Sequence, residues 1–351
     1  MFATPRFFNL LKTPLSVFVL LAAVTGSVST GYAQSVEEFY KGKQIDLVIG
    51  YSPGGAYDLY GRLVARHLGD YIPGKPKVVA RNMPGAGSRT AAMWIFNVAP
   101  KDGTALATVD QSLSVAQALG DKQLTIDTTK LLYIGNPIAD NNTVVTWHTS
   151  GVKTVEDARR KPISMGATGG STSSQYPKAM NALLGTKFKI VVGYPGANDI
   201  NLAMERGEVD GRGSSPWGLW KTTRSQWLDE KKINILVQIG LTKASDLKDV
   251  PLLMDLAAND NDRAILKVLS ASTTIGRPIF TSPGVPADRV KALRDAFDKM
   301  VADPAFLAQA KKENLDIDPV SGEELQKIVQ DVATSPKWVA ERLQEVIGDA
   351  N

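Results

Sequence analysis

The apolar positions of this chain fall into two alternating spacings. Residues 45–49 (IDLVI) form a run too short for a buried helix and too uniformly apolar for a surface strand, which predicts a strand covered on both faces. Leu59, Leu63 and Leu68 then recur at about the helical period, residues 77–80 return to strand character, residues 91–98 to helix, and residues 105–109 to strand. The alternation resumes with strands expected at 163–166, 189–192 and 233–239, a helix over 179–184, and another around 203–206 that opens at 196–199. Such alternation predicts an α/β sheet with right-handed crossovers.

The last third reads mostly as helix. Val290, Leu293, Phe297 and Met300 make one apolar stripe behind the start Pro286-Ala287-Asp288. Ser321 followed by Glu324 forms a capping box ahead of Leu325, Ile328 and Val332. Stripes of this kind are the ordinary signature of core packing. The chain shows no internal repeat and no low-complexity linker.

The first 33 residues follow another logic. Arg6 and Lys12 precede an apolar run at 15–24 and small residues up to Ala33, the order of a secretory signal peptide cut near Ala33; an uncleaved anchor is the alternative. No other stretch approaches the length of a bilayer span. The remaining length, 43% hydrophobic and 22% charged, suits about two domains. Removing the leader lowers the net charge from +4 to +2, too weak and dispersed for a nucleic-acid footprint. Zero cysteines exclude disulfides, thiolate catalysis and Cys-based metal sites. Export without cysteine fits a bacterial periplasm.

Candidate chemistry lies in three loops of one kind. Residues 50–58 (GYSPGGAYD) leave a strand through Pro-Gly-Gly and enter a helix, residues 165–174 (MGATGGSTSS) combine glycines with hydroxyl donors, and residues 193–199 (GYPGAND) repeat the glycine turn. A helix N-terminus after a strand presents free N–H groups at the positive end of the helix dipole, a place for anions, and glycine lets backbone approach a ligand. Asp58 would oppose an anion, so it either caps its helix or receives a ligand ammonium or hydroxyl.

The ordered set of segments resembles the extracytoplasmic solute receptors of tripartite tricarboxylate transporters, the Bug or TctC family. The resemblance rests on 48–58 (VIGYSPGGAYD), 81–87 (RNMPGAG), 99–104 (APKDGT), the 165–174 loop, 193–197 (GYPGA), 207–211 (GEVDG) and 282–286 (SPGVP), and so runs along the whole chain after the leader. It implies an α/β, two-domain, type II periplasmic-binding-protein-like fold with a hinge, domain one comprising 34–138 plus 240–351 and domain two 139–239. It implies a carboxylated solute, aromatic or di- or tricarboxylic, held in the cleft without cofactor or metal by a monomeric receptor. The solute would be delivered to large and small membrane subunits; a receptor feeding a sensor would have the same cleft.

Carried onto this chain, the grip consists of Tyr51, Ser52, Pro53, Gly54, Gly55, Ala56, Tyr57 and Asp58 with Thr168, Gly169, Gly170, Ser171, Thr172 and Ser173. Tyr194, Gly196, Ala197 and Asn198 line the same cleft, and Gln111 and Ser112 are counted with them. Beyond Asp210 the chain reads GRGSSPWGLW, where Arg212 pairs with a second carboxylate or is solvated, and Trp217 stacks on a ligand or packs between domains. Two positions depart from the family: Tyr51-Ser52 stands where Phe-Pro is usual, and Gln175 where a His is common. Ligand identity therefore does not carry over.

A secreted enzyme is the rival class. There is no GxSxG elbow and no P-loop lysine, and residues 85–90 lack the third glycine of a dinucleotide fingerprint. The only histidines, His67 and His148, have no neighbouring acidic or cysteine ligands, which leaves neither a zinc site nor a Ser/His/Asp pattern.

Overall fold

The first sheet of the protein is built by strands from both ends of the chain. In the computed structural model, residues 34–118, 120–334 and 337–348 are described; the expected leader, 1–33, lies outside them. The strands are β1 (Gln44–Ile49), β2 (Lys77–Asn82), β3 (Ala105–Thr108) and β4 (Leu132–Asn136), then β5 (Asn142–Trp147), β6 (Ile163–Gly166), β7 (Phe188–Val191), β8 (Gly211–Pro216) and β9 (Ile233–Ile239). Late in the chain come β10 (Ile279–Thr281) and β11 (Val320–Ser321). They assemble into two sheets, ordered β11-β4-β10-β3-β1-β2 and β7-β6-β8-β5-β9.

β1 runs parallel to β2 and β3, and β6 parallel to β7 and β8, while β10 is antiparallel to β3 and β4, and β5 antiparallel to β8 and β9. The parallel pairs need crossover helices, and those helices cover the sheets. This explains the uniform run at β1: Leu47 and Ile49 pack with Leu63, Leu293 and Phe297 on one face, and Val48 packs with Ala91, Ile95 and Ala107 on the other. Each such aliphatic side chain contributes about 1.5–3 kcal/mol on burial. The second sheet has the same construction. Val144, Met165, Tyr176 and Leu236 share one core, and Val145, Ile200, Trp220 and Trp227 share another.

Every strand of the second sheet lies between Asn142 and Ile239, but the helices do not respect that division. Ile265, Leu266 and Leu269 of helix Asp260–Ile275, and Val339 and Leu343 of helix Lys337–Ile347, pack into the second sheet's core rather than the first's. The expected strands at 45–49, 77–80, 163–166 and 233–239 are present, and 189–192 is displaced by one residue. β4, β5, β8 and β10 were not signalled by periodicity. β8 reads GRGSSP, with no apolar alternation, and is held by its neighbours β5 and β6.

Among the described residues no helix is long and apolar enough to cross a membrane. His67 meets Phe306 edge-on at 5.5 Å on a helix face.

Candidate functional site

The parallel strands of both sheets end toward one cavity, the usual place for ligands in open α/β sheets. β1 leads through 50–55 into helix Ala56–Tyr71, β6 through 167–171 into helix Thr172–Leu184, and β7 through 192–196 into helix Ala197–Glu205. The cavity between them is bordered by Tyr51, Gly55, Ala56, Tyr57, Asp110 and Gln111 from the first sheet's loops, with Arg277 ahead of β10. From the second sheet come Asn142, Thr168, Ser171, Thr172, Ser173, Ala197, Ile200, Arg212, Ser214 and Pro216. Its free volume is about 50 Å³, room for a few waters.

The loops of the two sheets touch around this cavity. Ser52 N donates to the Pro195 carbonyl at 3.3 Å, and Ser52 Oγ donates to Asp199 Oδ2 at 2.6 Å. On the other side Arg89 Nη1 donates to the Gly170 carbonyl. In the middle, Asp110 Oδ2 accepts from Tyr51 Oη at 2.7 Å and from Thr172 Oγ1 at 3.3 Å. Its Oδ1 accepts from Ser112 Oγ at 2.6 Å, Ser112 N at 3.0 Å and Thr172 N at 3.3 Å.

The charges in the wall are unevenly satisfied. Asp110 is 4% exposed, yet both of its oxygens are occupied by protein donors. Arg212, 5% exposed, donates from Nη1 to Asn201 Oδ1 at 3.1 Å, and its Nε has no protein acceptor. It forms no ion pair with any described carboxylate. Burial pulls its guanidinium down to about 9, opposed by Tyr51 and reinforced by the charge of Arg224, so it stays protonated at neutral pH. Burial, with Asp110 adding to it, pushes the Tyr51 and Tyr57 phenols well up, and both remain neutral donors. A buried guanidinium without a carboxylate is costly unless an anion joins it.

No family model matches the chain. A UPF0065 protein from the gbd 5' region of Cupriavidus necator is 24% identical over 333 residues, covering 92% of this chain and 95% of that protein. The structure of the periplasmic binding protein BugD superposes with a TM-score of 0.70 at 18% identity, covering 88% of this chain and 98% of BugD. MatC from Rhodopseudomonas palustris with bound malate superposes at 0.67 with 18% identity, over 87% of this chain and 99% of MatC. The fold is that of a Bug-type periplasmic binding protein. This matches the α/β expectation from the strand and helix alternation and the type II expectation that the resemblance implies.

Within this Bug-type fold the expected site residues divide into those that border the cavity and those that brace it. Tyr51, Gly55, Ala56, Tyr57, Gln111, Thr168, Ser171, Thr172, Ser173, Ala197 and Arg212 border it. Ser52, Gly196 and Asn198 sit at the contact between loops: Gly54 and Asn198 face each other, and Asn198 Oδ1 accepts from Arg224 Nη2 at 2.7 Å. Pro53 is exposed.

Asp58 faces away and ties its own loop. Its Oδ2 accepts from Gly54 N at 3.0 Å, and its Oδ1 accepts from Arg62 Nε at 2.9 Å and Asn82 Nδ2 at 2.8 Å. Burial alone would raise its carboxyl, but those three donors outweigh it and hold it below the ordinary range. Gly169 and Gly170 face the turn at residues 86–89, Ser112 supports Asp110, and Tyr194 packs on the second sheet's core. Trp217 is buried in that core, its Nε1 donating to Asp246 Oδ1 at 2.8 Å.

Sequence reasoning missed Asp110, Asn142, Ile200, Ser214, Pro216 and Arg277. Asp110 had a signal, because it follows a predicted strand as Tyr51 does. Arg277 had none, since the three-residue strand after it has no readable period.

Proposed function

We propose that this protein is an extracytoplasmic solute receptor of the Bug/TctC family that captures a small carboxylate and hands it to the large and small membrane subunits of a tripartite tricarboxylate-type transporter. The observation that carries the reading is Arg212: a buried, protonated guanidinium without a carboxylate partner, on a cavity entered by glycine-opened helix N-termini. Malate in the MatC structure supports the same ligand class.

Capture involves no bond chemistry. In this reading residues 34–138 with 240–351 and residues 139–239 are two domains on a hinge, with helices Asp260–Ile275 and Lys337–Ile347 of the first reaching onto the second sheet's core, and the solute closes them because only the closed form lets donors from both reach it. The receptor works in the periplasm after loss of its leader, as a monomer. Tyr57, Gly55 and Ala197 approach the solute closely, and Arg212 takes its charge.

A thermal-shift screen of carboxylic acids against their matched amides at fixed pH and salt tests this. A ligand at about 100 times its Kd adds about 2.7 kcal/mol of stability. Shifts with acids and none with amides support a carboxylate receptor, whereas shifts only with sugars, amines or metals refute it.

A further inference from the structure

Arg277 is the charged group of the cavity for which carboxylate capture by Arg212 leaves no role. It comes from the first sheet's side, between helix Asp260–Ile275 and β10, and is 2% exposed. Its backbone is fixed, since its N–H donates to Asn136 Oδ1 at 2.9 Å, and its guanidinium lies 5.5 Å from the centre of the Tyr60 ring. Its Nε and Nη1 are buried without a protein acceptor, and it forms no ion pair with any described carboxylate.

The two nearby carboxylates are engaged elsewhere. Asp110 has five donor contacts from Tyr51, Ser112 and Thr172; Asp140 accepts from Gly218 N at 2.9 Å and feels the charge of Arg277, but does not pair with it. A buried arginine in a purely structural role ordinarily spends its in-plane donors on carboxylates or carbonyls. Stacking over a tyrosine leaves those donors unused. Arg212 and Arg277 border the same cavity as Tyr51 and Tyr57, whose rings lie 4.9 Å apart. Positive charge is therefore supplied to the cavity from each sheet's side.

We propose that Arg277 binds a second acidic group of the solute, so that the cavity takes a compact dianion met by Arg212 from the second sheet and Arg277 from the first. The inference rests on the carboxylate reading above and adds the number of charges and the residue that counts them. It also gives closure a direct electrostatic cause, because the solute is shared between guanidiniums on opposite walls.

The test is calorimetric titration of the purified protein with unbranched dicarboxylic acids of four to six carbons and with their half-amides, for wild type, Arg212→Gln, Arg277→Gln and Arg277→Lys. Wild type should bind its preferred di-acid about 10- to 100-fold more tightly than the half-amide, the range of one charge-assisted contact. Arg277→Gln should erase that preference and leave half-amide binding within about threefold, whereas Arg212→Gln should weaken both ligands. Equal losses for both ligands in Arg277→Gln, or a wild type indifferent to the second charge, would overturn the assignment while leaving the carboxylate reading intact. A wild type that binds no acid removes both. If Arg277→Gln does not fold, Arg277→Lys decides: a loss confined to the di-acid supports the proposal, and affinities equal to wild type for both ligands refute it.

Discussion

Three loops that look alike in sequence start their helices in two opposite ways. Helix Ala56–Tyr71 begins at Gly55 with no side chain capping it, and helix Ala197–Glu205 begins in the same way at Gly196. Helix Thr172–Leu184 begins at Ser171, whose Oγ accepts from Ser173 N at 3.3 Å, and Asp110 from the opposite sheet accepts from Thr172 N. Both kinds of loop prepare the positive end of a helix, but the hydroxyl-rich one fills its donors from within the protein. The glycine-opened pair is left for a guest, with Arg212 beside it.

The strongest way to break this contrast is at the guanidinium. Arg212→Gln should lower affinity for an acidic solute roughly 10- to 100-fold by calorimetry, since the charge-assisted contact is lost. An unchanged affinity would detach the anion from the glycine-opened side. Next comes the loop contact. A side chain at Gly196 would meet Ser52 Oγ at 2.2 Å, although its φ of −170° suits any residue. Gly196→Val should therefore cost about tenfold in affinity while the unliganded unfolding midpoint moves little.

The capped helix should answer in the other currency. Ser171→Ala should remove about 1 kcal/mol of stability in denaturant titration and change affinity by no more than about twofold. A larger loss of affinity than of stability would place Ser171 on the solute.

The smallest effect concerns Asp58. Its folded-state carboxyl is held low by Arg62, Asn82 and Gly54, so its contribution to stability is complete above the unfolded value of about 3.9 and disappears as pH falls through the depressed one. Asp58→Asn should flatten the acid limb of the stability curve there and leave affinity at neutral pH unaltered. An equally steep limb in the variant would remove Asp58 from this role.

The same contrast explains what the sequence disclosed. β1 and β6 were legible as short apolar runs, and with β7 the three strand-to-helix loops followed from them. β8 was not, because Gly211, Gly213 and Pro216 erase any period and pairing with β5 and β6 makes the strand. Gly55 and the cavity-bordering hydroxyls of 168–173 were found through backbone logic. Asp110 and Arg277 escaped it, since their importance lies in which donors surround each charge, a property of the assembled sheets. Trp217 shows the converse: an aromatic beside a candidate arginine in sequence turns into the core, hydrogen bonded to Asp246.

The most direct measurement is a crystal structure with the tightest-binding acid from the screen. The account predicts a carboxylate at hydrogen-bonding distance from the Arg212 guanidinium and the first backbone amides after Gly55, with Asp110 still accepting from Thr172. A carboxylate seated on Thr172 N with Asp110 displaced, and Arg212 left without an anion, would contradict it.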